Sequence, residues 1–435
     1  MRAPDRSTAP EVRGFGDFDL PRPSEVTLPN GARLYVLDRG DIPVCRLTAC
    51  WNAGRADVKS VPALVLAANA MRCGTAARSE EEIAETLEYN GAWLRCNADA
   101  HASFLTLHSL NKTFGEVLPV VADMLSNAEY PARALGSQRE KTASQLDIKN
   151  RRISVKAESV YNPLVYGAAS PLARHYTGAD VMNVGDDEIR QTYAGVFRAN
   201  TPAFFLAGRI TGEIERTARE SLGAIRFGDT ADAVSASVVP RPAHAGDSEA
   251  RLQVDGSLQT AIKIGIPTIG RQHPDFEKLR VAVMLLGGYF GSRLMANIRE
   301  EKGYTYGITA SLNGAPEGAA VEIACQTDNR FTHDVLSEIS KELRRLACEP
   351  VPAEELEAAR NILVSSMAGV TDTPFSIADY LVSLHTLGLP PEHFRRQLDA
   401  ARSATPAEIN RLAAEYLAAT PRLTALAGDF DRQCI

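Results

Sequence analysis

Histidine is scarce in this chain of 435 residues: there are eight, and none lies between Met1 and His101. A zinc helix needs two imidazoles one turn apart, so none can sit in the first hundred residues. His101 and His108 fall on one predicted strand at an odd spacing, which sends them to opposite faces. The other six, His175, His244, His273, His333, His385 and His393, stand alone without HxH or HxxxH pairing and read as structural or surface residues. The seven cysteines, Cys45, Cys50, Cys73, Cys96, Cys325, Cys348 and Cys434, are odd in number, scattered and without a CxxC pair. Free, mostly packed thiols in a reducing compartment are expected. Basic charge is not in excess: the net charge of −7 disfavours a nucleic-acid footprint yet is too mild to imply disorder. No apolar run approaches the ~20 residues of a membrane span; the longest occupy 61–71 and 281–286. The first eighteen residues, MRAPDRSTAPEVRGFGDF, hold no apolar signal core, so a cytoplasmic chain is expected, or a periplasmic one if a signal has been removed.

What the sequence does contain is a plan used twice. With 45% hydrophobic and 23% charged residues, the chain is long enough for two cores. The first half opens with apolar residues around an Asn30-Gly31 turn, a hairpin signal. A strand at 45–51 and an apolar helix at 61–71 follow. Ser79-Glu80-Glu81-Glu82 reads as a capping box before a helix with Ile83 and Leu87 one turn apart. Asn90-Gly91 stops that helix, a hairpin spans 92–97 and 102–110, and helices are expected at 113–127 and 131–152. A strand at 202–208 and a helix at 211–223 complete the half. Residues 227–249, rich in Ala, Ser, Pro and Asp, read as a linker. The second half repeats the order: a strand at 259–266, helices at 274–286 and 292–302, strands at 304–312 and 319–326, helices at 331–348, 353–369, 374–386 and 405–418, and a last strand at 423–428. An α+β chain of two homologous domains, 11–226 and 250–435, explains this better than one large unit.

The most informative segment is Gly287-Gly288-Tyr289-Phe290-Gly291-Ser292-Arg293-Leu294, running on through Ile298-Arg299-Glu300 to Gly303-Tyr304-Thr305-Tyr306-Gly307. It reads as a glycine turn, a short helix and a glycine-led strand, with Arg299 seven residues before Tyr306. Without a Gly-Lys-Ser/Thr or a Gly-x-Gly-x-x-Gly, the glycines suit a tight helix–helix turn rather than a phosphate cradle. This stretch resembles the second-half signature of the pitrilysin/insulinase-type zinc peptidases, the M16 family. The resemblance extends over nearly the whole chain. It implies two duplicated domains, each an antiparallel sheet covered by helices.

The same resemblance exposes a loss. Active members carry HxxEH on a first-half helix ahead of a Gly-Thr, with a further glutamate downstream. The histidines and that glutamate hold zinc, and the glutamate inside the motif is general base. Gly74-Thr75 sets the register here, so Val65 and Asn69 stand at the histidine positions and Ala68 at the glutamate. Gln145 or Leu146 falls near the third ligand position, and Asp147 is the nearest acid. The chain is therefore expected to hold no metal and no cofactor of its own.

Arg299 and Tyr306 remain. A guanidinium can fork onto a substrate carbonyl, and a tyrosine hydroxyl can donate to the oxyanion of the attacked peptide bond. The plainer alternative makes Arg299 one charge in an Arg-Glu-Glu-Lys run and Tyr306 a strand-packing aromatic. The family's substrate-binding edge strand maps onto Trp93, Leu94, Arg95, Cys96 and Asn97, where an extended peptide would add as a further strand; an edge packed under its own domain is the alternative. By resemblance, the chain is expected to be the non-zinc-binding subunit of a heterodimeric metalloendopeptidase. It would lend Arg299 and Tyr306 to a sequence-related, zinc-bearing partner that cuts peptides. The alternative is a proteolytically inactive peptide-binding or structural scaffold, perhaps a homodimer. An independent metallopeptidase is disfavoured by the missing ligands.

Overall fold

The computed structural model describes residue 14 and residues 16–228, 233–234 and 238–431. The strands are β1 (Ser24–Thr27), β2 (Arg33–Asp38), β3 (Val44–Trp51), β4 (Trp93–Ala98), β5 (Ser103–Leu110) and β6 (Ala203–Gly208). Then come β7 (Ser248–Gln253), β8 (Gln259–Thr268), β9 (Thr305–Ala315), β10 (Gly318–Asp328) and β11 (Leu423–Gly428). They form two sheets, ordered β1-β2-β6-β3-β5-β4 and β7-β11-β8-β10-β9. Apart from the extra β1, the two orders superimpose strand for strand in chain sequence. The duplication read from the pattern of elements is thus present in the topology.

The expectation of antiparallel sheets needs correction. β2 pairs with β6, and β7 with β11, in parallel, so each sheet is mixed. β6 slots between β2 and β3, which run in opposite directions. Being antiparallel to β3, it must be parallel to β2. The same constraint fixes β11 between β7 and β8.

Local chemistry accounts for much of the chain's course. In the β1–β2 turn Gly31 has φ 83°, and the Asn30 amide donates at 2.8 Å to the carbonyls of both Leu222 and Ile225. Ser60 caps the helix Val61–Ala70, and Ser79 with Glu82 forms the expected capping box of the helix Glu80–Tyr89. The predicted linker at 227–249 lies partly outside the described residues, and its last two residues already belong to β7. The predicted helix at 292–302 is drawn out over Met295–Glu301 into wide, π-type turns. His101 is not on a strand: it sits in the turn before β5.

Two helices that the sequence pattern did not single out, Ile153–Tyr166 and His393–Ser403, carry part of the architecture. One face of the first sheet packs on first-half helices around Leu47, Trp51, Leu105, Phe204 and Leu206. Its other face, with Leu37, Cys50 and Phe205, is covered by Ile377, Leu381 and Phe394 from the second half. In the second sheet, Leu423 and Ala425 are covered by Tyr161 and Val165 of the first half. The halves therefore exchange a helix. Strand residues alternate between faces, so covering both faces makes β3 and β6 almost wholly buried. Gly265 permits the exchange on β8, because a Cβ there would lie 2.8 Å from the Tyr161 hydroxyl. The exchanged helices Pro374–Thr386 and Ile153–Tyr166 are each also tied by charge from their sixth residue: Asp379 to Arg46 of β3 at 2.6 Å, and Glu158 to Lys263 of β8 at 3.3 Å.

Candidate functional site

The helix Val61–Ala70 turns Val65 toward a cleft of about 280 Å³ that is also lined by Leu146 from the helix Ala132–Asn150. Ala68 is buried on the same helix and Asn69 is half-buried. The nearest acid, Asp147, spends its carboxylate on the backbone N–H of Gly178 at 2.8 Å. These side chains do not fit zinc: valine, alanine and leucine offer no ligand atom, and a lone neutral amide is a poor substitute for imidazole or carboxylate. Among the described residues, no group of three His, Cys, Asp or Glu side chains is placed to hold a metal ion.

Arg299 and Tyr306 do come together, on the second sheet. Gly303, at φ 66°, takes the chain from the wide-turned helix into β9, the sheet's edge strand. The Arg299 guanidinium lies 4.6 Å from the Phe290 ring centre and 5.3 Å from that of Tyr306. Its Nε is 3.4 Å from a carboxylate oxygen of Glu300. Tyr306 is 91% exposed and Phe290 63% exposed, so the cluster faces outward with its cation held by two rings. Tyr306 is therefore not the strand-packing aromatic of the plainer alternative. Phe290 was not singled out from sequence; its signal is an aromatic inside a glycine turn, where it has no helix or strand face to join. Asn297 anchors the helix below, donating to Glu338 at 2.7 Å and to the buried Glu342 at 2.6 Å. Neither Arg299 nor Tyr306 lines the cleft beside Val65.

Trp93, Leu94, Arg95, Cys96 and Asn97 lie on β4, the edge of the first sheet, whose one strand partner is β5 among the described residues. Leu94 points into the core, while Trp93, 54% exposed, packs on His108 with ring centres 5.0 Å apart. A groove of about 280 Å³, lined by Arg72, Ile83, Leu87, Trp93 and Leu94, runs between this edge and the helix Glu80–Tyr89. Burial pushes the Cys96 thiol up to about 12, so it is a packing group rather than a nucleophile.

Taken together, the chain is a duplicated, helix-exchanged α+β fold in which the position expected for zinc, at Val65, Ala68 and Asn69, carries no ligand set among the described residues. A family model, the peptidase M16 inactive domain, matches residues 183–363. The non-peptidase homolog YmxG of Helicobacter pylori is 22% identical over 348 residues, 79% of each chain. An uncharacterized zinc protease of Mycobacterium leprae, ML0855, is 23% identical over 294 residues, 66% of this chain and 65% of that one. Among solved structures, a peptidase M16 inactive domain from Pseudomonas fluorescens superimposes with TM-score 0.82 at 19% identity, covering 93% of this chain and 98% of that one. A Helicobacter pylori protease gives TM-score 0.83 at 14% identity, covering 94% and 100%. The periplasmic protease PqqL of Escherichia coli gives 0.76 at 14%, and this chain spans 49% of its length. Over residues 183–363 in sequence, and in fold over nearly its whole length, the chain is thus similar to M16 inactive-type proteins.

Proposed function

We propose that this chain is the non-zinc-binding subunit of a heterodimeric M16-type metalloendopeptidase. In this reading Arg299 and Tyr306 bind the substrate backbone and steady the oxyanion at a partner's zinc. The observation that carries it is the outward-facing cluster itself. A tyrosine 91% exposed beside a cation braced by two aromatic rings has its hydroxyl free for something outside its own chain. The two rings also fix the guanidinium before any substrate arrives, which lowers the cost of ordering it on binding. The open edge of β4 would hold the peptide by backbone hydrogen bonds.

The test is a quenched-peptide assay, with zinc counted, on this chain alone, on an HxxEH-bearing relative from the same source, and on the two mixed. Activity is expected only in the mixture. There, Arg299→Ala with Tyr306→Phe should lower kcat by about 10²-fold or more, as loss of an oxyanion donor does. Unchanged activity in that mixture would sink the assigned roles. A second reading, a peptide-binding scaffold or homodimer without proteolytic function, is favoured by the likeness to a protein named as a non-peptidase homolog. It gains the field if the two chains do not associate while this chain binds peptides uncut.

A further inference from the structure

The geometry points to the cleft beside Val65 as a binding site for an apolar carboxylate, formed where a metal site would otherwise stand. The inference is independent of Arg299 and Tyr306. The lining of the cleft includes apolar Val61, Val65 and Leu146 beside the amides of Asn150 and Asn162. The lining also carries three cations, Arg55, Lys149 and Arg174, with His175 next to the last. Neither Arg55 nor Lys149 meets a carboxylate at ion-pairing distance among the described residues, and Arg174 donates to the Lys59 carbonyl at 3.1 Å. The one carboxylate on the described lining, Glu158, is already engaged by Lys263 at 3.3 Å.

A second observation comes from Tyr176, which also lines the cleft. Its hydroxyl is buried and has no hydrogen-bond partner. Buried polar groups are normally satisfied, so an orphan hydroxyl on a residue that lines the same cleft as the three cations leaves a donor for which a bound ligand supplies the acceptor. A volume of about 280 Å³ takes a terminal residue or a short acyl chain rather than a length of polypeptide. The shared chemistry is a carboxylate on an aliphatic group. Its source is either the C-terminal residue of a peptide or a free fatty carboxylate.

The experiment is calorimetric titration of the full chain with acetyl-Ala-Leu as the free acid, with its C-terminal amide, and with octanoate. At least one of the two carboxylates should bind, and the amide should bind at least tenfold more weakly than the peptide acid if the source is peptide. Octanoate without the peptide acid assigns the site to free carboxylates. Arg55→Met with Lys149→Met should abolish the preference for the charged form. Tyr176→Phe should weaken the acid several-fold with an unchanged melting temperature. Should the double variant fail to fold, the acid-against-amide comparison and Tyr176→Phe still decide. The proposal is overturned if acid and amide bind equally, or if neither carboxylate binds at millimolar concentration.

Discussion

Arg299 shows how a single side chain acquires a setting. On its own it is one charge in a run; between Phe290 and Tyr306 it is a fixed donor on an exposed surface. Other residues are set as firmly by burial. The thiols of Cys45, Cys50, Cys96 and Cys325 are pushed up to about 12 and that of Cys73 to about 11, chiefly by desolvation, whereas Cys348 is exposed. At pH 8 iodoacetamide should therefore alkylate Cys348 first among the six described thiols, as peptide mapping would show. Rapid labelling of Cys50 or Cys325 would contradict the packing. His101 and Glu317 form a 2.8 Å pair between the tips of two hairpins. The Glu317 bond raises the histidine above its ordinary value, and despite its burial Glu317 is held below the usual carboxylate range by bonds to His101 and the backbone. For a raised histidine, the stabilisation is complete below its unfolded value and fades as pH climbs through the folded one. For a lowered glutamate, it is complete above the unfolded value and fades as pH falls through the folded one. The pair thus acts most strongly between about pH 4.5 and 6.5. His101→Asn should cost about 1 kcal/mol in denaturant melts at pH 6 and clearly less at pH 9; a cost independent of pH would mean the charge is not involved.

At the scale of elements, the exchanged helices are held by unequal pairs. Arg46 has a side chain only 8% exposed and pairs with the single carboxylate Asp379, while Lys263 is shared between Glu158 and Glu322 at 3.3 and 3.1 Å. Removing Asp379 leaves a buried cation with the Phe375 carbonyl and ring beside it and no carboxylate in its place. Asp379→Ala should cost about 1–2 kcal/mol by denaturant midpoint, and Glu158→Ala less, because Glu322 stays with Lys263. Equal losses would show that the second carboxylate does not compensate. The same scale shows what could be read beforehand. The Ser79 capping box, the Asn30-Gly31 hairpin and most strands were legible because their signals lie within a few residues. The helix Ile153–Tyr166 was not, since it carries an internal proline and answers to a sheet in the other half of the chain. The wide turns of Met295–Glu301 escaped for a related reason: Asn297 is fixed by carboxylates more than forty residues away.

For the whole molecule, the exchange means that neither half completes its own fold. Residues 11–226 and 250–435 are proposed as two duplicated domains, yet each leaves a sheet face covered by the other. Leu37 and Phe205 need Ile377 and Leu381, and Leu423 and Ala425 need Tyr161 and Val165. Calorimetry of the intact chain should give one cooperative transition, and each half expressed alone should be insoluble or partly unfolded. Two separated transitions, with each half folding independently, would refute that coupling. No helix among the described residues is long and apolar enough to cross a membrane.

The sequence by itself determined the duplicated order of elements, the lack of histidine or carboxylate at Val65, Ala68 and Asn69, and the seven-residue spacing of Arg299 and Tyr306 across a glycine. These are matters of residue type and short-range spacing. Tertiary structure alone decided the parallel pairing of β2 with β6 and of β7 with β11, the exchange of helices, and the bracing of Arg299 by Phe290. It also decided that Tyr176, Lys149 and Val65 line one cleft. Each of these depends on which distant segments are neighbours, and that is settled by burying apolar faces and inserting a late strand between two early ones.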